Sequence, residues 1–101
     1  MDSSSHQVAI EQLADFPEAV FEVTVVSPDN SKSQHSVTLS RHYHEEISNG
    51  ACTPETLLTQ SFYFLLEREP KESILAEFDL PLIGTYFPEY EAVIKKNIGH
   101  V

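Results

Sequence analysis

The chain has 101 residues, of which 41% are hydrophobic, and it carries a formal net charge of −10. This length predicts one domain, and the apolar content excludes a wholly disordered chain. Sixteen acidic residues oppose six scattered basic ones, so neither nucleic acid nor an anionic membrane is an expected partner. No apolar run approaches the roughly 20 residues of a membrane helix, and the lone Cys52 is typical of a reducing compartment. We therefore expect a cytoplasmic protein.

The N-terminal segment is predicted to be irregular at first and then helical. Residues 1–7 are small and polar, and we expect them to be disordered ahead of a single α+β domain over residues 8–101. Val8, Ile10, Leu13 and Ala14 could line one side of a short helix that ends near Pro17.

Two strands are predicted next. Residues 19–27 are strand formers with apolar residues on both faces, and in residues 34–40 apolar and polar residues alternate, which is the period of a strand. The polar loop between them contains a Pro-Asp-Asn sequence starting at Pro28, which favours a turn. We therefore predict an antiparallel β-hairpin over residues 19–40.

A short helix is predicted directly after the hairpin. Ser40 can cap a helix over residues 41–48 because its hydroxyl can accept a hydrogen bond from a free backbone N–H. Asn49 and Gly50 supply the left-handed residue that commonly ends a helix.

A longer, central helix is predicted for residues 54–68. Thr53 is a capping residue, Pro54 suits the first helical position, and Pro70 excludes continuation. Its apolar residues cover more than one stripe, so we expect burial on most sides.

The C-terminal third is predicted to form two or three short helices. Pro81, Gly84 and Pro88 interrupt the apolar pattern, and Pro88 either breaks the last helix or starts a new one. The aromatic segment 86–90 either packs in the core or provides a docking surface. The resulting fold class is α+β, with an N-terminal antiparallel β-hairpin packed against a central helix and short C-terminal helices.

Residues 34–69 contain the segment HSVTLSRHYHEEISNGACTPETLLTQSFYFLLERE, which resembles the ribbon-helix-helix pattern of small bacterial repressors and antitoxins. The resemblance rests on the order strand, helix, helix, and it implies that two chains pair through their strands. In that family the outward strand residues read the DNA major groove. The corresponding outward residues here are Gln34, Ser36, Thr38 and Ser40. None of them is Lys or Arg, so DNA binding is not expected.

The C-terminal half is similar to a group of small bacterial proteins of unassigned function. The shared pattern is LLEREPKESIL, then FDL, then YFPEYE, and it occupies residues 65–91. The resemblance implies that this tail forms one structural unit, and it implies no activity.

Candidate chemical groups are few. His42 and Glu46 are the best metal-ligand candidates. His42 and His44 form a His-x-His pair, but on a helix these two side chains point in different directions. Cys52 precedes a helix start, which can activate a thiol, although no base is placed beside it by spacing. No phosphate-binding loop, dinucleotide fingerprint or nucleophile elbow occurs. We therefore predict no catalytic residues and no cofactor.

The leading functional prediction is a non-enzymatic interaction module that binds a protein partner, including a second copy of itself. An isolated two-stranded hairpin leaves unpaired backbone groups that a second chain can use. The predicted interface residues are Gln34, Ser36, Val37, Thr38 and Leu39. Two alternatives stay open. One is an antitoxin-like acidic regulator that masks a basic protein, and the other is a small enzyme that uses a metal held by His42, Glu46 and another histidine.

Overall fold

The structure is a computed structural model that describes residues 6–16, 18–48, 50 and 52–98. Within these residues the strands are β1 (Gln7–Ala14), β2 (Glu18–Val26), β3 (Lys32–Ser40) and β4 (Glu77–Asp79). The α-helices are α1 (Arg41–Ser48), α2 (Pro54–Leu66), α3 (Leu82–Tyr86) and α4 (Tyr90–Ile98), and a 3-10 turn covers Lys71–Ser73. The fold class is α+β, as predicted. None of the helices described has enough apolar length to traverse a lipid bilayer.

The strands form one mixed sheet in the order β1-β2-β3-β4. β2 and β3 pair antiparallel from Glu18 opposite Ser40 to Val26 opposite Lys32, which confirms the predicted hairpin. β1 is antiparallel to β2, whereas β4 is parallel to β3. Alternation along the hairpin strands buries one face of the sheet and leaves the other partly exposed.

The prediction of a helix over residues 8–14 was wrong, because this segment is β1. Val8 and Ile10 are two residues apart, and both pack partly buried against the core on the face that β1 shares with Val23 and Val25. A short apolar run fits strand and helix periods alike, and the backbone pairing offered by β2 decides between them. Gln7 was predicted to be disordered, but it pairs with a residue of β2. The prediction for residues 1–5 and the chain around Pro17 lie outside the described residues.

Both predicted helix starts are confirmed by hydrogen bonds. The N–H of Tyr43 donates to the Ser40 hydroxyl over 3.1 Å, and the N–H of Thr56 donates to the Thr53 hydroxyl over 3.2 Å. These caps satisfy amides that lack partners inside a helix. Gly50 has a φ of 78°, so it adopts the predicted left-handed conformation, while the adjoining Asn49 lies outside the described residues.

α2 ends at Leu66, two residues before the predicted end. The guanidinium of Arg68 donates to the Phe64 carbonyl over 3.1 Å and lies 3.7 Å from the centre of the Phe64 ring. The side chain therefore covers the carbonyl end of the helix, where a positive charge is favourable. Six residues of α2 are buried, on more than one side: Leu57, Leu58, Ser61, Phe62, Phe64 and Leu65.

The C-terminal segment contains a strand that was not predicted. β4 has only three residues, and its Phe78 side chain is buried in the core. Pro88 lies between α3 and α4, so it neither interrupts α4 nor begins it: the helix starts at Tyr90, whose N–H donates to the Phe87 carbonyl.

Candidate functional site

The predicted interface edge of β3 is used within the chain itself. Ser36, Val37 and Thr38 pair with β4, and the Ser36 N–H donates to the Ala76 carbonyl over 2.7 Å. The Thr38 carbonyl accepts from the Leu80 N–H over 3.0 Å. β4 therefore occupies the main-chain groups of Ser36 and Thr38 that pairing of this edge with a second chain would require.

The side chains of the predicted interface point in two directions. Val37 and Leu39 are fully buried and belong to the core. Gln34 is exposed, and Ser36 and Thr38 are partly exposed on the opposite face of the sheet. The five residues therefore do not form one continuous contact surface.

The unpaired long edge of the described sheet is instead the outer edge of β1. The N–H and C=O groups of Ser36 point toward β4, so those of its antiparallel partner Glu22 point toward β1. Glu11 lies opposite Glu22, and its N–H and C=O groups therefore point toward β2. The N–H and C=O groups of the neighbouring Ile10 and Gln12 must then point away from the sheet. No described strand lies beyond β1.

The side chains of β1 leave this edge only lightly protected. Glu11 is its sole charged residue, and edge strands that resist pairing commonly carry several charges or a proline. The register with β2 shifts between Gln12 and Ala14, so Leu13 is the bulged residue and is 56% exposed. Regular pairing is thus available over residues 7–12, ahead of the bulge.

The face of the sheet opposite the core is acidic. Glu11 pairs with Glu22, Glu22 with Ser36, and Ser36 with Glu77, so one row across all four strands contains three carboxylates. Carboxylates directly opposite on neighbouring strands repel one another. In the described strands this face bears five acidic side chains and one basic side chain: Glu11, Glu18, Glu22, Glu77, Asp79 and Lys32.

An apolar cleft of about 330 Å³ lies between the end of α2, the 3-10 turn, β4 and α3. The side chains that line it are mostly apolar: Leu65, Glu69, Ser73, Ile74, Leu75, Phe78, Leu82, Ile83, Tyr86 and Phe87. Leu75 is 46% exposed and Tyr86 is 64% exposed, although both are large and apolar. Glu69 is the charged residue of the lining. Exposed apolar surface around a concave site is typical of a binding surface.

The candidate metal ligands His42 and Glu46 lie one turn apart on α1, and no third ligand joins them among the described residues. His42 and Glu46 are both exposed on α1, and the described residues contain no group of three or more side chains able to hold a metal ion. His35 lies in the core, where its ring nitrogens contact the Leu75 carbonyl and the Ser33 hydroxyl, each over 2.8 Å. His44 contacts the Cys52 carbonyl over 2.9 Å. The last two histidines thus serve as structural links.

Neither the predicted candidate Cys52 nor the buried hydroxyl of Ser61 has the surroundings of an activated nucleophile. Burial raises the pKa of the Cys52 thiol, which disfavours the reactive thiolate. Ser61 is fully buried, and its hydroxyl donates to the Leu57 carbonyl over 2.7 Å and lies 2.6 Å from the Tyr90 hydroxyl. The neighbouring His44 contacts the Cys52 carbonyl and not its thiol, so the structure shows no hydrogen bond from a base to that thiol. The hydroxyl of Ser61 contacts a carbonyl and a tyrosine hydroxyl, neither of which is the base that nucleophilic catalysis requires.

The aromatic segment 86–90 has one tyrosine in the core and one at the surface, so the predicted core packing is confirmed for Tyr90 and a docking role stays a prediction. Tyr90, the first residue of α4, is fully buried against α2, and its ring meets Phe64 edge-on with 5.3 Å between centroids. Tyr86 is exposed at the cleft. Sequence reasoning did not identify the cleft itself, because it depends on β4 lying beside β3, and three residues are too few to show a strand period.

Comparison with protein-family models, with curated proteins and with solved structures finds no match for this chain. The features of the described structure that bear on function are therefore the outer edges of β1 and β4, the acidic sheet face and the apolar cleft.

Proposed function

We propose that the chain is a non-enzymatic protein-interaction module that self-associates through the outer edge of β1. The observation that carries this proposal is an edge strand of eight residues with a single charge. Its outward N–H and C=O groups are those of Val8, Ile10 and Gln12. Such an edge is a template for a further strand.

A two-fold symmetric pairing suits the sequence of β1. If two copies pair antiparallel about Ile10, Val8 of each copy lies opposite Gln12 of the other. Glu11 then lies opposite Ala9 and not opposite the second Glu11, which avoids a direct like-charge pair. The two sheets become one continuous sheet with β1 in its interior.

A proline substitution on β1 tests this proposal. Gln12 is exposed and its N–H points outward, so Gln12→Pro removes a donor that only a second chain uses. We expect the wild-type chain to shift from monomer to dimer with rising concentration in light scattering. Gln12→Pro should raise the concentration needed by about tenfold or more, the effect of losing about 1.4 kcal/mol.

The matched control is Gln12→Ala, which keeps the N–H and loses the same side-chain hydrogen bond to the Ala14 carbonyl. It should dimerise as the wild type does. Thermal melting of both variants as monomers should agree within a few degrees, which shows that the fold is retained. A wild-type chain that stays monomeric at millimolar concentration, or equal dimerisation of both variants, would overturn self-association through β1.

A second candidate function is the binding of a basic protein, as an antitoxin-like regulator does. The acidic row across the sheet favours it, because Glu11 and Glu22 are kept directly opposite one another at a cost in stability. A like-charged pair is a reason to expect a cationic partner, whose binding relieves the repulsion.

An oligolysine peptide of about twelve residues tests the second function. At about 0.05 M salt, where screening is weak, it should bind the wild-type chain. Replacing Glu11 and Glu22 together by Gln should weaken binding by about fivefold. The control replaces Glu45 and Glu46, which are exposed on α1, and removes the same charge. Equal weakening by both double variants would show that only the net charge matters and would contradict a site on the sheet.

A further inference from the structure

The short edge of the sheet, β4, lies directly beside the apolar cleft. Phe78 is the central residue of β4 and also lines the cleft. Its side chain is on the buried face of the sheet, since it pairs with the buried Val37. The cleft is therefore on the face toward which every second residue of an added strand would point.

The main chain of β4 has groups available for such a strand. The Ala76 carbonyl accepts a hydrogen bond from β3, and the Leu80 N–H donates one to β3. The N–H and C=O groups of Glu77 and Asp79, the alternate residues, therefore point away from the sheet. No described strand lies beyond β4. A short edge strand with charged residues resists pairing with an ordinary strand. An added strand must therefore neutralise the two carboxylates.

The charges around this edge are negative on both faces. Glu77 and Asp79 are exposed on the outer face of the sheet, and Glu69 lies in the cleft on the inner face. The nearby cations have partners within the chain. Lys71 is buried, and its ammonium donates to the Ser31 hydroxyl and to the Glu72 carboxylate. Arg68 donates to Glu89 over 3.1 Å.

We propose that the β4 edge and the cleft bind an extended segment of a basic protein in which bulky apolar residues alternate with Lys or Arg. The apolar side chains enter the cleft beside Phe78, and the cationic side chains lie against Glu77 and Asp79. A cleft of about 330 Å³ is at the small end of binding pockets, which span about 300–1,000 Å³. It thus suits a few side chains. This inference rests on the second proposed function and assigns it a site.

The probe is a fluorescent seven-residue peptide that alternates lysine and leucine, capped at both ends. Its first control has the same composition in a non-alternating order, and its second control has glutamate in place of lysine. By fluorescence anisotropy with the full chain, we expect the alternating peptide to bind at least about tenfold more tightly than either control, a preference that follows from the period of a strand.

Two pairs of variants separate the cleft, the edge and the charge. Replacing the exposed Leu75 and Tyr86 by Ser leaves the core intact and should weaken binding of the alternating peptide about tenfold. Glu77→Pro removes both a charge and an outward N–H, whereas Glu77→Gln removes the charge alone. We expect the proline variant to bind several-fold more weakly than the glutamine variant.

Thermal melting shows whether each variant is folded, and oligolysine binding tests the second proposed function separately from the cleft site. Equal binding of alternating and non-alternating peptides, or no effect of the Leu75 and Tyr86 substitutions, would overturn the cleft site. If oligolysine binding still depends on Glu11 and Glu22 in that case, the second proposed function survives without this site. Suppose that the alternating peptide and oligolysine both bind with a dissociation constant above about 1 mM, a binding free energy weaker than about −4 kcal/mol. The cleft site and the second proposed function are then both overturned.

Discussion

Two tyrosine hydroxyls illustrate at the residue scale how burial links this fold to pH. Tyr90 is fully buried, with its hydroxyl 2.6 Å from that of Ser61, and the Tyr43 hydroxyl donates to the Glu91 carboxylate over 3.0 Å. Burial raises the pKa of Tyr90, and burial together with the neighbouring Tyr90 and Glu91 raises the pKa of Tyr43. Both hydroxyls therefore favour the protonated state in the folded chain.

Alkaline unfolding tests this link. An unfolded tyrosine ionises near pH 10, so a raised folded pKa gives stability that is complete below about pH 10 and falls as the pH rises above it. We expect the free energy of urea unfolding to fall by about 1.4 kcal/mol per pH unit for each such tyrosine. Tyr90→Phe should reduce that slope, whereas Tyr86→Phe, which removes an exposed hydroxyl, should not. Equal slopes for wild type and Tyr90→Phe would contradict the role of Tyr90.

Residue roles were predictable from the sequence where the partners are close in the chain. The Ser40 and Thr53 caps each bond a backbone N–H three residues away, and both were predicted. His35 contacts the Leu75 carbonyl, and Lys71 contacts the Ser31 hydroxyl, across 40 residues each. Such bonds depend on the sheet order, which no local pattern specifies.

At the scale of elements, the sequence predicted the hairpin and the first two helices but not the strands at either edge. The hairpin strands have nine residues each. Every second residue is buried over residues 21–25 in β2 and over residues 35–39 in β3, and this spacing in the sequence indicated strands. β1 has apolar residues at positions compatible with either period, and β4 has three residues. Pairing with neighbours stabilises both edge strands. The edges are also the proposed binding sites, so sequence patterns were least informative at the candidate interfaces.

At the scale of the whole molecule, the sheet order separates the two proposed interactions. β1 and β4 are the opposite edges of one sheet. A dimer joined through β1 would therefore leave the β4 edge and the cleft of each copy available to a basic partner. The acidic face would extend across both copies, and binding the first basic segment would lower the negative charge that opposes association.

Salt should act on the two interactions in opposite directions. Each copy carries a formal charge of −10, so repulsion opposes pairing through β1, while backbone bonds and apolar contacts favour it. Raising the salt from about 0.1 M to about 1 M shortens the screening length from about 10 Å to about 3 Å. In light scattering, the concentration at which the chain dimerises should then fall. Binding of the alternating lysine–leucine peptide should weaken, since its attraction to Glu77 and Asp79 is screened as well. A dimer that dissociates at high salt would show that ion pairs, and not the β1 edge, hold the copies together.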